Sequence, residues 1–456
     1  MLSPTVFREY DIRGVVDRDL TPAGVRQLAR AFGTFLRQRQ VTEALVGRDN
    51  RLSSESYRDA VVAGLRDTGI NVGDIGLVIT PLFYFARVLY QAPAGVMITG
   101  SHNPADQNGF KLGYGLATLY GEDIQEIRAI MERGEFAEGQ GTYRQLDPWP
   151  DYRRLLQEKI KLGPRRLRVV VDTGNGTGSL FAPTVVADWG AEVIPLYTES
   201  DPTFPHHFPD PSQVQNLQDL QAKVLATGAD LGLSFDGDAD RLGVIDEQGN
   251  ILWGDTLMAL YWREILPQHP GAVAIIEVKC SQALAEEVER LGGKPIFFKT
   301  GHSLIKAKMH ELGAVFTGEM SGHLFFADEY YGYDDALYAA GRLLRILSHA
   351  SEALSDLTSD LPRYPSTPET RVDCADEAKF QVVAAVTEAY RARYPVIDVD
   401  GVRVLFPEGW GLIRASNTQP VLVLRAEAKT PAALSRIKAD LEQSLSGFPG
   451  VGHIDW

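Results

Sequence analysis

Short apolar and β-branched runs alternate with stretches of helical periodicity as far as about residue 350, the pattern of α/β units built on largely parallel sheets. In the first unit, 44–46, 72–75 and 94–98 read as strands, and 53–67 as an intervening helix. A second unit follows Pro148, with strands over 168–171, 192–196, 230–235 and 242–246. A third opens on a helix near Asp255 and continues with strands over 273–278, 295–298 and 314–317. Proline-rich connectors at 147–150 and 361–368 punctuate these units. Beyond the second connector the order changes. A helix over 377–393 precedes strands at 403–406, 411–414 and 421–427 and a closing helix from Pro431. The pattern predicts three similar α/β domains with mixed, mostly parallel sheets, at 1–148, 149–253 and 254–362, and a C-terminal α+β domain at 363–456.

The first three units send a polar loop off comparable strands. Residues 94–98 run into Thr99-Gly-Ser-His-Asn-Pro104, 231–235 into Asp236-Gly-Asp-Ala-Asp-Arg241, and 314–316 into Thr317-Gly-Glu-Met-Ser-Gly-His323. Open α/β sheets bind ligands beyond the carboxyl ends of their strands, so the three loops are expected to meet at a central cleft.

The loops carry the candidate chemistry. Asp236, Asp238 and Asp240 alternate on one short turn, and carboxylates this close repel unless a cation sits among them. A calcium loop fits poorly. Glu247 falls at its twelfth position, but Arg241 stands where glycine makes the turn, and strands flank the loop. Magnesium suits the set better, because it leaves positions for phosphate oxygen or water. Ser101 follows an apolar strand, with Lys111 nearby, but lacks the Gly-x-Ser-x-Gly elbow. Neighbouring side chains on extended backbone point opposite ways, so Ser101 and His102 are not expected to pair. Arg414-Ala-Ser-Asn-Thr418 joins two strands and reads either as a phosphate cradle or as an ordinary polar hairpin. His302 sits at the start of a helix, a place that favours anions, and is equally readable as structural. Glu319 and Ser321 suit sugar hydroxyls or the capping of a turn. In Thr173-Gly-Asn-Gly-Thr-Gly-Ser179 the serine replaces the third small residue of a dinucleotide fingerprint, so the glycines serve a tight strand-to-helix turn instead.

Composition narrows the partners. The formal net charge of −15 argues against a general nucleic-acid binder. Two distant cysteines, Cys280 and Cys374, make no disulfide framework or cysteine zinc site and fit a reducing cytosol. Charged residues interrupt the N-terminus where a signal peptide would be apolar, and no apolar run approaches the roughly 20 residues that span a bilayer. A cytoplasmic protein without membrane association is expected, as a monomer or small homo-oligomer.

With these motifs in order, from Phe7-Arg-Glu-Tyr-Asp-Ile-Arg-Gly14 to the Arg414 loop, the chain resembles the α-D-phosphohexomutase family, and within it the phosphomannomutase/phosphoglucomutase group. Gly100 stands where alanine is common in that family, and Ala239 where glycine is frequent. The resemblance implies a four-domain, heart-shaped enzyme in which Ser101 carries a phosphoryl group and Mg²⁺ binds Ser101, Asp236, Asp238 and Asp240. It places Tyr10, Arg13, Lys111 and Arg241 around the phosphoserine, and Lys279, His302, Glu319, Ser321 and His323 around the sugar. Arg414, Ser416, Asn417 and Thr418 would hold the idle phosphate. The implied reaction moves a phosphoryl group between the 1- and 6-positions of glucose and/or mannose phosphates, through glucose 1,6-bisphosphate or its mannose counterpart. A phosphoglucosamine mutase, a non-catalytic sugar-phosphate-binding protein and a metal-dependent phosphatase are the alternatives.

Overall fold

The computed structural model describes residues 2–115, 117–416 and 419–456. Among them, no helix is long and apolar enough to cross a membrane. Four sheets organise the chain. The first runs in the order Ile12–Val15, Gln107–Tyr114, Ala94–Ile98, Glu43–Arg48, Asn71–Leu77, Tyr143–Gln145. The strands from Ala94–Ile98 through Tyr143–Gln145 pair in parallel, as the βαβ pattern requires, while Gln107–Tyr114 returns antiparallel beside Ala94–Ile98. The second sheet places Arg168–Asp172 between Glu192–Leu196 and Leu231–Phe235 in parallel, with Leu242–Asp246 antiparallel beyond. In the third, Val273–Glu277 pairs in parallel with Lys294–Phe298 and Phe316–Gly318, and Leu324–Phe326 returns antiparallel. The fourth sheet, Thr370–Asp373, Val421–Ala428, Gly409–Ala415, Val402–Phe406 and Val396–Ile397, is antiparallel throughout.

One consequence places the site. The serine loop, the acidic loop, the Glu319 loop and the Arg414 loop each connect two antiparallel neighbours, so all four are the turns of hairpins at sheet ends. The strand Gln107–Tyr114 was not expected from the sequence. Gly109, Gly113 and Lys111 dilute its β pattern, and pairing with Ala94–Ile98 overrides that weak propensity.

The cores divide unequally. One apolar cluster is continuous through the first three units, joining Phe83 and Tyr152 to Leu233, Trp262 and Leu337. The last unit has its own cluster, centred on Val386, Leu424 and Leu441. Its seam with the third unit is small and partly polar. Val278, Trp410 and Leu412 pack there, and the fully buried Arg403 guanidinium lies 3.7 Å from the Trp410 ring and 4.2 Å from that of Phe297. Arg403 donates to the carbonyls of Val278 at 2.7 Å and Cys280 at 2.8 Å, and Arg425 to that of Lys279 at 2.6 Å. Two arginines of the last unit thus hold three consecutive carbonyls of the Lys279 turn. Arg403→Ala leaves two buried carbonyls without donors, at a cost of about 1–3 kcal/mol each. Calorimetry of that variant is expected to show a transition for the C-terminal unit below the main one.

Candidate active site

The hairpin turns converge on one cavity of about 1320 Å³, lined among others by Tyr10, Arg13, Ser101, Lys111, Arg241 and Lys279, and by His302, Glu319, Ser321, His323, Arg414 and Ser416. Asn417 and Thr418 lie outside the described residues. Behind this lining, Asp236, Asp238 and Asp240 are fully buried.

The acidic turn is held from several sides. The Oδ1 atom of Asp236 accepts the backbone N–H groups of Asp240 at 2.9 Å and Arg241 at 3.1 Å, closing the turn on itself. Asp238 accepts the Thr80 hydroxyl at 2.6 Å and the Lys111 ammonium at 2.9 Å, and Lys111 also contacts Asp240. Lys111 is delivered by the unexpected return strand, opposite Met97. Burial and the neighbouring Asp240 and Asp238 carboxylates push the Asp236 carboxyl well above its ordinary range. Burial acts the same way on Asp238, but there the Lys111 charge and the Thr80 and Lys111 hydrogen bonds prevail, and its pKa falls. Burial opposes the charge on Lys111, yet Asp238 and Asp240 outweigh it and keep the ammonium protonated. Ala239 adopts φ 57°, the left-handed conformation that its Cβ disfavours.

The Ser101 hydroxyl donates to Asp236 Oδ2 at 2.8 Å, which brings the serine turn onto the acidic turn. The expectation that Ser101 and His102 diverge is corrected here. Their side chains meet, with Oγ 3.1 Å from Nδ1. Divergence holds for extended backbone, whereas Ser101 has φ 49°. Since the hydroxyl proton points at Asp236, His102 is placed to donate Nδ1–H to Oγ. Burial and the charges of Arg241 and Arg13 hold the His102 imidazole neutral, well below its usual pKa. Arg13 reaches Asn103 at 2.9 Å, and Arg241 Nε donates to His323 Nε2 at 3.0 Å. That bond sets the His323 proton on Nδ1, 3.2 Å from Asp334 and 3.5 Å from Asp240.

Farther along the cleft, His302 is the first residue of the helix His302–Leu312 and stacks on His323 with ring centroids 5.3 Å apart. Burial, reinforced by Lys306, lowers its pKa well below the usual value. Glu319 accepts the Gly301 N–H at 2.8 Å, and burial raises its pKa. Glu277 ties the turns together, accepting the Thr300 hydroxyl at 2.6 Å and the Met320 N–H at 3.2 Å. Asp400 accepts from Arg414 at 2.9 Å and from the Thr300 N–H at 3.1 Å, linking the last two units. Sequence reasoning set His102 aside and missed Thr80, Glu277, Asp334, Glu369 and Asp400. Only His102 carried a signal, its place next to Ser101.

The atoms Asp238 Oδ1 and Asp240 Oδ1 are buried without a hydrogen-bond partner. Hard oxygen donors left unsatisfied beside a serine hydroxyl fit a small divalent cation of the Mg²⁺ kind. A positioned hydroxyl, a cation-ready acidic turn and several fixed positive charges in one cleft define a centre suited to phosphoryl transfer.

Comparison with known proteins agrees with that class. Four consecutive family models match the chain: phosphoglucomutase/phosphomannomutase alpha/beta/alpha domain I over residues 4–138, domain II over 150–249, domain III over 253–364 and the C-terminal domain over 369–444. The chain therefore belongs to the phosphoglucomutase/phosphomannomutase family, whose members are isomerases of the phosphohexomutase type. It is 44% identical over 445 residues to a phosphomannomutase/phosphoglucomutase of Pseudomonas aeruginosa, covering 97% of this chain and 96% of the relative. With a phosphoglucomutase of Neisseria meningitidis it shares 43% over 451 residues, 98% of each chain. Among solved structures, a phosphoglucomutase/phosphomannomutase family protein from Burkholderia thailandensis superposes with a TM-score of 0.93 at 40% identity over 100% of both chains. The same fold, at 14% identity and a TM-score of 0.63, occurs in an Aspergillus fumigatus N-acetylphosphoglucosamine mutase solved with glucose 1,6-bisphosphate, which covers 98% of this chain and 96% of its own.

Lys279 bridges to Glu369 at 2.9 Å across the cleft, and its charge holds that carboxyl down at about 2. A depressed carboxylate contributes stability that is complete above its ordinary pKa near 4.5 and is lost as pH falls toward 2. Glu369→Gln should therefore lower the melting temperature at pH 7, with a deficit that shrinks from pH 5 to pH 3 in fluorescence melts.

Proposed function

We propose that the chain interconverts the 1- and 6-phosphates of glucose and/or mannose by two phosphoryl transfers through Ser101. Phosphoserine 101 gives its phosphoryl group to the free hydroxyl of a hexose monophosphate. The resulting 1,6-bisphosphate turns over in the cleft, and Ser101 takes back the other group. The observation that carries this reading is the Ser101 hydroxyl itself, 2.8 Å from Asp236 and sharing its cavity with Arg414.

Asp236, Asp238, Asp240 and an oxygen on Ser101 would hold Mg²⁺, which when bound neutralises charge on the phosphoryl oxygens. The chain's own groups do the rest. Lys111, Arg13 and Arg241 supply fixed positive charge around the phosphoryl group, and the buried setting strengthens it. His102 offers Nδ1–H to the serine oxygen as that atom becomes the leaving group. Lys111, kept charged by its carboxylates, can only donate, whereas His302, kept neutral by burial and Lys306, can accept a proton from a sugar hydroxyl. Glu319, Ser321, Lys279 and Tyr10 face the sugar, and Arg414, Ser416, Asn417 and Thr418 hold the idle phosphate in either orientation. The separate core of the last unit and its polar seam support closure of that unit over the substrate. The free, buried Cys280 and Cys374 suit a reducing cytoplasm.

Peptide mass spectrometry after incubation with Mg²⁺ and glucose 1,6-bisphosphate, followed by a chase with glucose 1-phosphate, tests the cycle. The expected result is a phosphoryl group that appears on Ser101 and leaves to the sugar, with neither label nor turnover in Ser101→Ala. Release only as inorganic phosphate would mark a phosphatase, and binding without label a non-catalytic protein. Faster turnover of glucosamine 1-phosphate than of the glucose and mannose esters would overturn the substrate assignment.

A further inference from the structure

The turn Asp49-Asn50-Arg51, at the end of the strand Glu43–Arg48, belongs to none of the four cleft hairpins, yet it grips the serine hairpin directly and reaches the acidic one through Thr177. We propose that this turn is a positioning element, with Arg51 as its principal residue, that fixes the serine loop in its reactive conformation and in register with the acidic loop. The role rests on reading Ser101 as the nucleophile.

Arg51 is only 2% exposed. Its Nη2 donates to the carbonyls of Ser101 at 2.8 Å and Asn103 at 2.6 Å, and its Nη1 to those of Pro104 at 2.6 Å and Gln107 at 2.9 Å. One planar guanidinium thus satisfies four carbonyls of a single loop, which a lysine, with three donors on one nitrogen, does not reproduce. Asp49 completes the grip from the other side. Its Oδ2 accepts the Gly100 N–H at 3.1 Å and lies 3.2 Å from Arg51 Nε, while Oδ1 accepts the Arg51 N–H at 3.0 Å. The Thr99–Gly100 and Ser101–His102 peptides are therefore held by this turn, while the Gly100–Ser101 peptide between them closes locally, its N–H on Thr99 Oγ1 at 2.8 Å and its carbonyl on the Asn103 N–H at 3.0 Å.

That restraint has a purpose in the backbone. Ser101 sits at φ 49°, a conformation that costs a non-glycine residue on the order of 1–3 kcal/mol and persists only where surrounding bonds enforce it. Gly100 shows how closely the clamp fits, because a Cβ there would lie 2.4 Å from Arg51 Nε and 2.5 Å from its Cζ.

The middle residue faces the second unit. The Asn50 N–H donates to Thr177 Oγ1 at 3.0 Å, and its Nδ2 to the Asn175 carbonyl at 3.0 Å and Ser200 Oγ at 2.9 Å. The Thr177 N–H in turn donates to the Gly237 carbonyl, inside the acidic loop, at 2.9 Å. Gly237 packs on the Ser101 carbonyl so closely that a Cβ would approach it to 2.3 Å. The Ser101 carbonyl is thereby pinched between Arg51 and the acidic loop, and the glycine-rich turn at 174–178 serves as the second anchor of the clamp.

Arg51→Met and Gly100→Ala, singly and combined in the full chain, test the role. The readouts are single-turnover phosphorylation of Ser101 by glucose 1,6-bisphosphate, affinity for glucose 1-phosphate and melting temperature. Each single variant is expected to slow phosphorylation by about tenfold or more, with affinity held within about threefold, because misplacement of the reacting group acts on the chemical step. Gly100→Ala should cost less than about threefold once Arg51 is already methionine, since the atoms nearest to the added methyl are those of the guanidinium. If Arg51→Met fails to fold, Gly100→Ala, which keeps Arg51, still decides by the same readouts. Phosphorylation at the wild-type rate in the variants, or losses that merely follow affinity or melting temperature, would overturn the role. Failure of the wild-type chain to label at Ser101 would instead remove the nucleophile, and this role with it.

Discussion

Three carboxylates of one turn, Asp236, Asp238 and Asp240, are fully buried, and much of the surrounding structure answers that constraint. Each buried charge carries a desolvation penalty of several kcal/mol, which a nearby opposite charge offsets only with good geometry. The fold supplies that geometry from the first unit and from the turn itself. The Lys111 ammonium enters from the return strand of the first sheet, the Thr80 hydroxyl from the start of the helix Thr80–Leu89, and Arg241 from the turn itself. Two carboxylate oxygens still lack partners, which is the opening a divalent cation would fill. The cost of burying this cluster leaves a site already organised for an incoming dianion.

The same device recurs around the cleft. A parallel sheet, or the antiparallel sheet of the last unit, presents a hairpin at its end, and the turn carries the chemistry while the strands fix it. Hairpins rather than long loops limit the freedom of each turn, so side chains from four sheets can meet in one cavity with defined partners. The apolar core continues through the first three units but breaks at the fourth, where buried arginines and single carbonyls make the seam. Phosphoryl transfer needs a rigid reacting end and a substrate that can enter, turn over and leave. A fused three-unit body with a separately packed fourth meets both needs.

Most of this was legible in the chain. The strands of the parallel sheets are continuous apolar runs because both faces are covered, and the loops at their ends concentrate the polar residues. The acidic triplet, Ser101 and the Arg414 loop stood out for that reason. What escaped notice was produced by pairing between distant segments. The strand Gln107–Tyr114 is too rich in glycine to announce itself, and it exists because Ala94–Ile98 offers it an edge. The His102 contact depends on a left-handed serine, a backbone state that residue identity does not reveal. Asp334 lies eleven positions beyond His323 yet reaches both His323 and His302, and Asp400 meets Thr300 across a unit boundary. Arg51 went unnoticed in the sequence, and only the fold shows four carbonyls around it.

The most direct test of the account is a pair of crystal structures of the Ser101→Ala chain, one with glucose 1-phosphate and one with glucose 6-phosphate. Both ligands are expected to place their phosphate against Arg414 and residues 416–418, with the sugar flipped between them so that the free hydroxyl faces residue 101. Phosphates seated instead beside Arg13 and Lys111, or a sugar held in one orientation for both ligands, would contradict it.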